Sequence, residues 1–343
     1  MKKIFLLLWF VLLGLSEVQA YEFEKNGIYY DIVKGKAVVV TGDVGYSGDV
    51  VIPDSVEYYG HYYVVDSIGG TVFQYSKITS VRLPNQLRAI GSAAFVNCSG
   101  LTSISFPGSL RCIDDGAFQY CTGLTSLSFP EGMSQIGEGA FKGCGRLETI
   151  SFPSTMKSID WSVFCEQYDG YGVCTCDSIR RIDIKDFSTW LNSDRFGANS
   201  SYEGHVCASN AKLYIDGKKL EDEVVIPEGV TELKSHLFDG AIQITSIKFP
   251  STLVKVAEDA FTHCYSLQNI EIDDLNDWLQ IDFGGSFCPW YAEERLKLYV
   301  KGELLTHVVL PESLTELKPY VFSSLKQIQR VDFPENLEKI GKS

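Results

Sequence analysis

Leu101–Phe141 reads LTSISFPGSLRCIDDGAFQYCTGLTSLSFPEGMSQIGEGAF, in which one pattern is written out nearly twice. Aligned as P-x-x-(L/M)-x-x-I-x-x-x-A-F-x-x-C-x-x-L-x-x-(I/L)-x-F-P, the prolines fall at Pro84, Pro107, Pro130 and Pro153, each 23 residues after the last. Phe95, Phe118, Phe141 and Phe164 keep the same step, 11 residues behind the prolines. A fixed period of this size is the mark of a solenoid, in which each repeat buries its apolar residues only by stacking on its neighbours.

The segment before each proline reads apolar, two polar, apolar, polar, aromatic: LTSISF (101–106), LTSLSF (124–129), LETISF (147–152). Its last three residues alternate as a strand does, and the constant step lets equivalent strands stack as a parallel sheet. Ile104 and Phe106 then point inward, and Arg82, Ser105, Ser128 and Ser151 form an outward row, continued by Asp183, Lys248, Glu271 and Asp332. The proline follows the strand, where it spares the ladder. Leu110 and Ile113 start the return path, and Gly-Ala-Phe at 116–118 and 139–141 predicts one short helical turn on the opposite face. The expected fold class is an α/β solenoid: a parallel β-sheet with short helical turns, preceded by a small β cap.

Working outward, residues 1–20, MKKIFLLLWFVLLGLSEVQA, carry two lysines, an apolar run from Ile4 to Leu15, and small or modest residues at Val18 and Ala20. They read as a secretory signal peptide, too short in apolar length for an ordinary span. The absence of a cysteine after Ala20 argues against a bacterial lipid anchor, and no later run predicts a transmembrane segment. Residues 21–52 alternate aromatic or branched residues with polar ones and are punctuated by Asn26-Gly27, Lys34-Gly35, Thr41-Gly42 and Ser47-Gly48, the grammar of hairpins, so a β cap is expected there. The solenoid is expected over 53–343.

Pro53 to Pro84 is a step of 31, lengthened by a tyrosine-rich insertion, Tyr58, Tyr59, Tyr62 and Tyr63 around Gly60-His61. A hairpin packed on the cap is the favoured reading, exposed binding anchors the other. The regular step fails again in longer irregular coils at about 165–226 and 273–310. These two stretches resemble each other: SIRRIDIKDFSTWLNSDRFG (178–197) matches SLQNIEIDDLNDWLQIDFGG (266–285), and KLYIDGKKL (212–220) matches KLYVKGELL (297–305), with Trp190 equivalent to Trp278. The array therefore continues through them. It reaches Ser343 inside a coil, with no polar capping repeat after Pro334.

The net charge is −14, and one unit more negative without the leader, which carries Lys2, Lys3 and Glu17. Such a chain repels phosphate backbones, so no nucleic acid partner is expected. Of ten cysteines, Cys98, Cys121, Cys144 and Cys264 sit three residues after the repeat phenylalanine and read as small buried hydrophobes. Cys112, Cys165, Cys174, Cys176, Cys207 and Cys288 fall off that position. Cys165, Cys174, Cys176 and Cys207, with His205, could bind zinc, but Cys174-x-Cys176 is tighter than the paired spacing of structural zinc sites. With an export signal, disulfides among Cys165, Cys174, Cys176 and Cys207 are the favoured reading, and no metal is assigned. The five histidines are scattered, and no nucleophile elbow, zinc-protease or phosphate-loop motif is present.

At LTSISFP, IDDGAFQYCTGL, IGEGAFKGCGRL, VVIPEGVTEL and KLYVKGELL the sequence resembles the BspA-type leucine-rich repeat proteins, exported surface-associated proteins of anaerobic Gram-negative bacteria and some protists. The resemblance runs from about Gly48 to the C-terminus, and FEKNGIYYDI followed by YSGDVVIP is similar to the cap that precedes such arrays. It implies a right-handed leucine-rich repeat superhelix with a concave parallel sheet, and adhesion to host proteins or other cells. Cys165 to Cys176 departs from the pattern as an insertion, and Phe322 is followed by SSL rather than a cysteine.

The expected function is a non-catalytic extracellular binding or adhesion protein, probing a host or cell-surface protein or a glycan. Its ligand-binding row is Arg82, Ser105, Ser128, Ser151, Asp183, Lys248, Glu271 and Asp332, with Tyr168, Tyr171, Trp290 and Tyr291 as an aromatic rim. No cofactor is expected, the chain is expected to be a monomer, and its place is the cell surface or outside, the periplasm being the alternative. A secreted hydrolase with a pocket in the long coils, near Trp190 or Trp278, is the competing reading; recurrence of those tryptophans at equivalent positions favours packing.

Overall fold

A computed structural model describes residues 21–40, 45–156, 163–168, 171–174, 176, 178–185, 187, 191, 212–220, 222–235, 237–238, 241, 243–261, 264–285 and 296–341, with only the backbone at 165–168, 171–174 and 213. Each coil has three sides. The first is the strand before the proline, paired in parallel with its equivalents. Ser126–Ser128, Thr149–Phe152, Arg181–Ile184 and Lys212–Ile215 form one such ladder, and Glu223–Val225, Ser246–Lys248, Asn269–Ile272 and Lys297–Val300 a second. Ser47–Val51 pairs with Lys77–Arg82, and His307–Val309 with Arg330–Asp332. Leu101–Phe106, in which the period is so plain, lies outside any assigned strand, yet keeps the alternation: Leu101 and Phe106 are buried and Ser105 is exposed.

The second side is a two-residue strand after the proline turn. Ala89–Ile90, Cys112–Ile113 and Gln135–Ile136 pair in parallel, and further on so do Glu232–Leu233, Lys255–Val256 and Asp282–Phe283. At its N-terminal end this ladder continues through His61–Ile68 into an antiparallel meander of Phe23–Lys25, Ile28–Val33 and Lys36–Val40. The meander turns on Asn26-Gly27 (φ 54° and 76°) and Lys34-Gly35 (φ 51° and 78°), the left-handed pairs that a two-residue hairpin loop demands. Ser47-Gly48, read as a fourth hairpin punctuation, instead lies within a strand; the register shifts between Gly48 and Asp49, a bulge at a glycine with φ 70°.

The third side corrects the expected helical turn. Residues 92–97 and 115–120 are tandem turns. Their N–H groups alternate in destination: Ala94, Val96 and Cys98 donate to carbonyls three residues back, whereas Ala93, Phe95 and Asn97 donate across to Asp115, Ala117 and Gln119 of the next coil. Left-handed residues at Ala93 and Asn97 (φ 56° and 59°), and at Gly116 and Tyr120 (φ 60° and 58°), stop any continuous i to i−4 series. The turn side therefore ladders along the array much as a sheet does. A true helix of six residues, Leu275–Gln280, occurs in the second long coil, capped by the Asp274 carboxylate, which accepts from the Asn276 N–H at 2.8 Å.

Stacking fills the interior. Phe73, Phe95, Phe118, Phe141 and Phe164 form a column with successive ring centroids 4.9, 4.9, 5.3 and 6.1 Å apart, and none of the five is accessible to solvent. Beside it runs a column of thiols. Cys98, Cys121, Cys144 and Cys264 are buried, and their Sγ atoms donate to the carbonyls of Phe73, Phe95, Phe118 and Phe238 at 3.0, 3.1, 3.4 and 2.9 Å. Cys176, read as an off-pattern bridging cysteine, is corrected by the same geometry: it is buried with Sγ 3.3 Å from the Phe141 carbonyl, the repeat position. The insertion merely displaced it in the count from Phe164.

The cap holds a group that works against the fold. The Tyr30 hydroxyl is buried with no hydrogen-bond partner among the described residues. Burial pushes the Tyr30 phenol well above its ordinary range, and pushes Tyr46 up to about 12. An unfolded tyrosine ionises near pH ~10, so this contribution is intact below that pH and is lost as pH rises above it, when only the unfolded state releases protons. Tyr30→Phe is expected to raise stability by about 1 kcal/mol at neutral pH and to flatten the alkaline loss, measured as urea midpoints between pH 7 and 11.

Candidate binding surface

Because the strands alternate, residues two apart share a face. The outward row runs in register through Val51 and Arg82, then Ser128, Ser151, Asp183 and Tyr214, then Val225, Lys248, Glu271 and Tyr299, and finally Val309 and Asp332. Ser105 holds the equivalent place, exposed, between Arg82 and Ser128. A second outward row flanks it: Asp49 and Ser80, then Ser126, Thr149, Arg181 and Lys212, then Glu223, Ser246, Asn269 and Lys297, then His307 and Arg330.

The residues absent from the counted row have a common cause. Tyr214 and Tyr299 lie in KLYI and KLYV, strands with no proline behind them. Each instead turns back through a two-residue loop, Asp216-Gly217 (φ 46° and 75°) or Lys301-Gly302 (φ 52° and 80°), so that Tyr214 faces Lys219 and Tyr299 faces Leu304 in antiparallel pairs. Counting back from prolines passes over them; the dipeptides Asp-Gly and Lys-Gly after an alternating run were the available signal. Each hairpin ends its ladder, and the next opens on an exposed valine, Val225 (57%) or Val309 (60%).

One polar arrangement recurs. Arg181 donates from Nε and Nη2 to the two carboxylate oxygens of Asp183 at 2.5 and 2.9 Å, and its guanidinium lies 3.8 Å from the centre of the Tyr214 ring. Arg330 repeats the Arg-x-Asp pattern, donating to Asp332 at 2.7 Å while His307 Nε2 lies 2.8 Å from the other oxygen. Hydrogen bonds from Arg330 and then His307 hold the Asp332 carboxyl below its usual range. Lys248 bonds Asp273 at 2.8 Å, which raises the lysine. Exposed pairs such as these add only about 0–1 kcal/mol to stability. Their consequence is orientation: three long cationic side chains, Arg181, Lys248 and Arg330, are held on the face rather than sweeping solvent. Between Arg82 and Asp183 the row is serine alone, so the sheet backbone is open to close approach.

Of the expected aromatic rim, Tyr168 and Tyr171 face each other across a two-stranded antiparallel sheet, Cys165–Tyr168 with Tyr171–Cys174, their side chains lying outside the description. Trp290, Tyr291, Cys207 and Trp190 lie outside the described residues. In the tyrosine-rich insertion Tyr58 stacks on Phe23 of the cap at 4.3 Å, whereas Tyr59 and Tyr62 are 85% and 75% exposed.

Trp278, the described member of the tryptophan pair, lines no cleft. It is fully buried, with its ring 6.0 Å from Phe249 and 5.0 Å from Phe283, and its Nε1–H donates to the Val321 carbonyl at 2.9 Å. A cavity of about 420 Å³ lies elsewhere, where the turns after Pro311 and Pro334 bring Glu312, Glu335 and Glu338 together with Ser313, Thr315 and Asn336. Among the described residues no three His, Cys, Asp or Glu side chains converge as a metal site, and no helix is long and apolar enough to cross a membrane.

The model of the BspA type leucine rich repeat region matches in six copies, over residues 66–203, 211–281 and 298–343. No curated protein matches. Among solved structures, a leucine-rich repeat protein of Bacteroides ovatus is similar at 23% identity and TM-score 0.43, covering 94% of this chain and 91% of that one. A leucine rich cell surface protein of Faecalibacterium prausnitzii is similar at 18% identity and TM-score 0.40, over 92% and 95%. A leucine rich repeat protein of T. pallidum is similar at 22% identity and TM-score 0.43, over 72% and 90%.

Proposed function

The chain belongs to the BspA-type leucine-rich repeat family, and from that premise we propose that it is an exported, non-catalytic binding protein whose strand face docks a protein or a glycan at the cell surface. The observation that carries this reading is the outward pair of rows, where aromatic, cationic, acidic and hydroxyl side chains stand in register on a rigid ladder and none is consumed by the core. The leader-like MKKIFLLLWFVLLGLSEVQA supports export. Arg82, Ser105, Ser128, Ser151 and Asp183 form the open part of the platform, with Arg181 and Tyr214 as its anchor; Lys248, Glu271 and Tyr299, then Asp332 with Arg330, extend it. Arginine and tyrosine are the residue types that concentrate binding energy, because each gives a large contact area with directional polar groups.

The test is an array of glycans and surface proteins probed with the chain lacking residues 1–20, followed by titration of any hit. Arg181→Ala and Tyr214→Ala are each expected to weaken it by about 1–3 kcal/mol, roughly 5- to 150-fold in Kd, with the urea midpoint little changed. A ligand indifferent to both, and to Arg82→Ala and Lys248→Ala, would place binding away from the strand face. Silence across the array together with turnover of a hydrolase substrate panel would replace the reading with the enzymatic one.

A further inference from the structure

The strands Cys165–Tyr168 and Tyr171–Cys174 pair only with each other among the described residues. We propose that Cys165 and Cys174 close a cross-strand disulfide that staples this hairpin, leaving Cys176 to the core.

The backbone register sets Cys165 opposite Cys174, with Glu166 opposite Val173, Gln167 opposite Gly172 and Tyr168 opposite Tyr171 between them and the tip. Hydrogen-bonded and non-hydrogen-bonded pairs alternate along an antiparallel ladder. In a hairpin with a two-residue connection, the pair flanking the connection is hydrogen-bonded. Counting outward from Tyr168 and Tyr171, the cysteines fall on a non-hydrogen-bonded pair. Such pairs bring α-carbons to about 4.5 Å, inside the roughly 4.4–6.8 Å that a disulfide spans.

The sequence reaches the same pairing by a separate route. CEQYDGYGVC is symmetric about Asp169-Gly170, with tyrosines adjoining that dipeptide on both sides and cysteines closing both ends. Asp-Gly is the dipeptide of tight hairpin loops. Cys176, the nearest competitor, sits buried against the Phe141 carbonyl in the repeat column. A lone two-stranded hairpin is marginal in water, so a covalent link across its base changes whether it forms at all.

The bond forms by exchange with a disulfide, of an exported oxidoreductase or of a small molecule. One cysteine, as thiolate, attacks the acceptor and releases one of its thiols; the second thiolate then displaces the other. The chain loses two electrons and two protons, and the acceptor disulfide becomes two thiols. By strand alternation, Tyr168 and Tyr171 fall on the face opposite the cysteines.

The chain lacking residues 1–20, reduced and then equilibrated with oxidised glutathione, tests this by non-reducing peptide mapping. The expected product is a peptide pair joining Cys165 to Cys174, two hydrogens lighter than the reduced form, and still formed in Cys207→Ser. Reduction is expected to speed chymotryptic cleavage at Tyr168 and Tyr171 by about tenfold or more, and to have no such effect in Cys165→Ser/Cys174→Ser. Linkage of either cysteine to Cys207 or Cys176, or alkylation of both after oxidation, would overturn the assignment.

Discussion

Phe118→Ala is expected to cost about 3–5 kcal/mol and to turn one urea transition into two, followed by circular dichroism and by hydrogen exchange. Phe118 lies within a column that has Phe95 4.9 Å away on one side and Phe141 5.3 Å away on the other, and Phe106 packs edge-on at 5.8 Å. Removing the ring leaves a cavity whose walls belong to three coils. The coils are tied by backbone bonds on two sides, so the walls collapse little, which puts the cost in the upper part of the range for such truncations. A stacked array is stabilised by each repeat and by each contact between neighbours. Weakening one contact in the middle therefore separates an N-terminal block from the rest. Ser105→Ala, exposed in the adjoining segment before Pro107, is the control, with a change within about 0.5 kcal/mol. A single unshifted transition for Phe118→Ala would mean the column contributes little to coupling.

The second large effect is expected at Trp278. Trp278→Ala removes a fully buried indole and orphans the Val321 carbonyl, which lies 43 residues further along the chain. The truncation alone is worth about 3–5 kcal/mol. Trp278→Phe separates the two parts: it keeps most of the apolar volume, loses the N–H donor, and is expected to cost about 1–3 kcal/mol. Both variants should raise hydrogen exchange around Val321 and Leu325 while leaving Phe73 to Phe118 protected. If the exchange change stayed confined to Leu275–Gln280, the bond to Val321 would not couple the two coils.

How far these features were legible in the sequence depended on what kind of physics each one used. Burial was legible because it repeats: Phe95, Phe118 and Phe141, and Cys98, Cys121 and Cys144, occupy the places that the period assigned to stacking. The outward serines followed by alternation. Backbone handedness was not legible at the third side, because the left-handed positions are filled by Ala93, Asn97 and Tyr120 as readily as by Gly116, so Gly-Ala-Phe reads from sequence as a helical turn. Landmarks also misled where they were missing. With no proline after KLYI, the period leaves Tyr214 unmarked, and Arg181 and Arg330 stand in a second row to which the proline spacing gives no landmark. Cys176 lies eleven positions after Cys165; the hairpin strands occupy that interval, and the period measured from Phe164 does not span it.

The two hairpins that end the ladders bear on how such a chain acquires its length. Lys212–Ile215 and Lys297–Val300 each close a ladder by folding back, and each is followed by a strand that opens a new one. A stretch of gene running from one opening strand to the next hairpin thus encodes a unit whose first and last edges are of the same kind as those of its predecessor. Tandem duplication of that stretch meets no unfamiliar junction. Unequal recombination can lengthen or shorten the protein by whole units while the outward tyrosines and charges of each copy diverge separately.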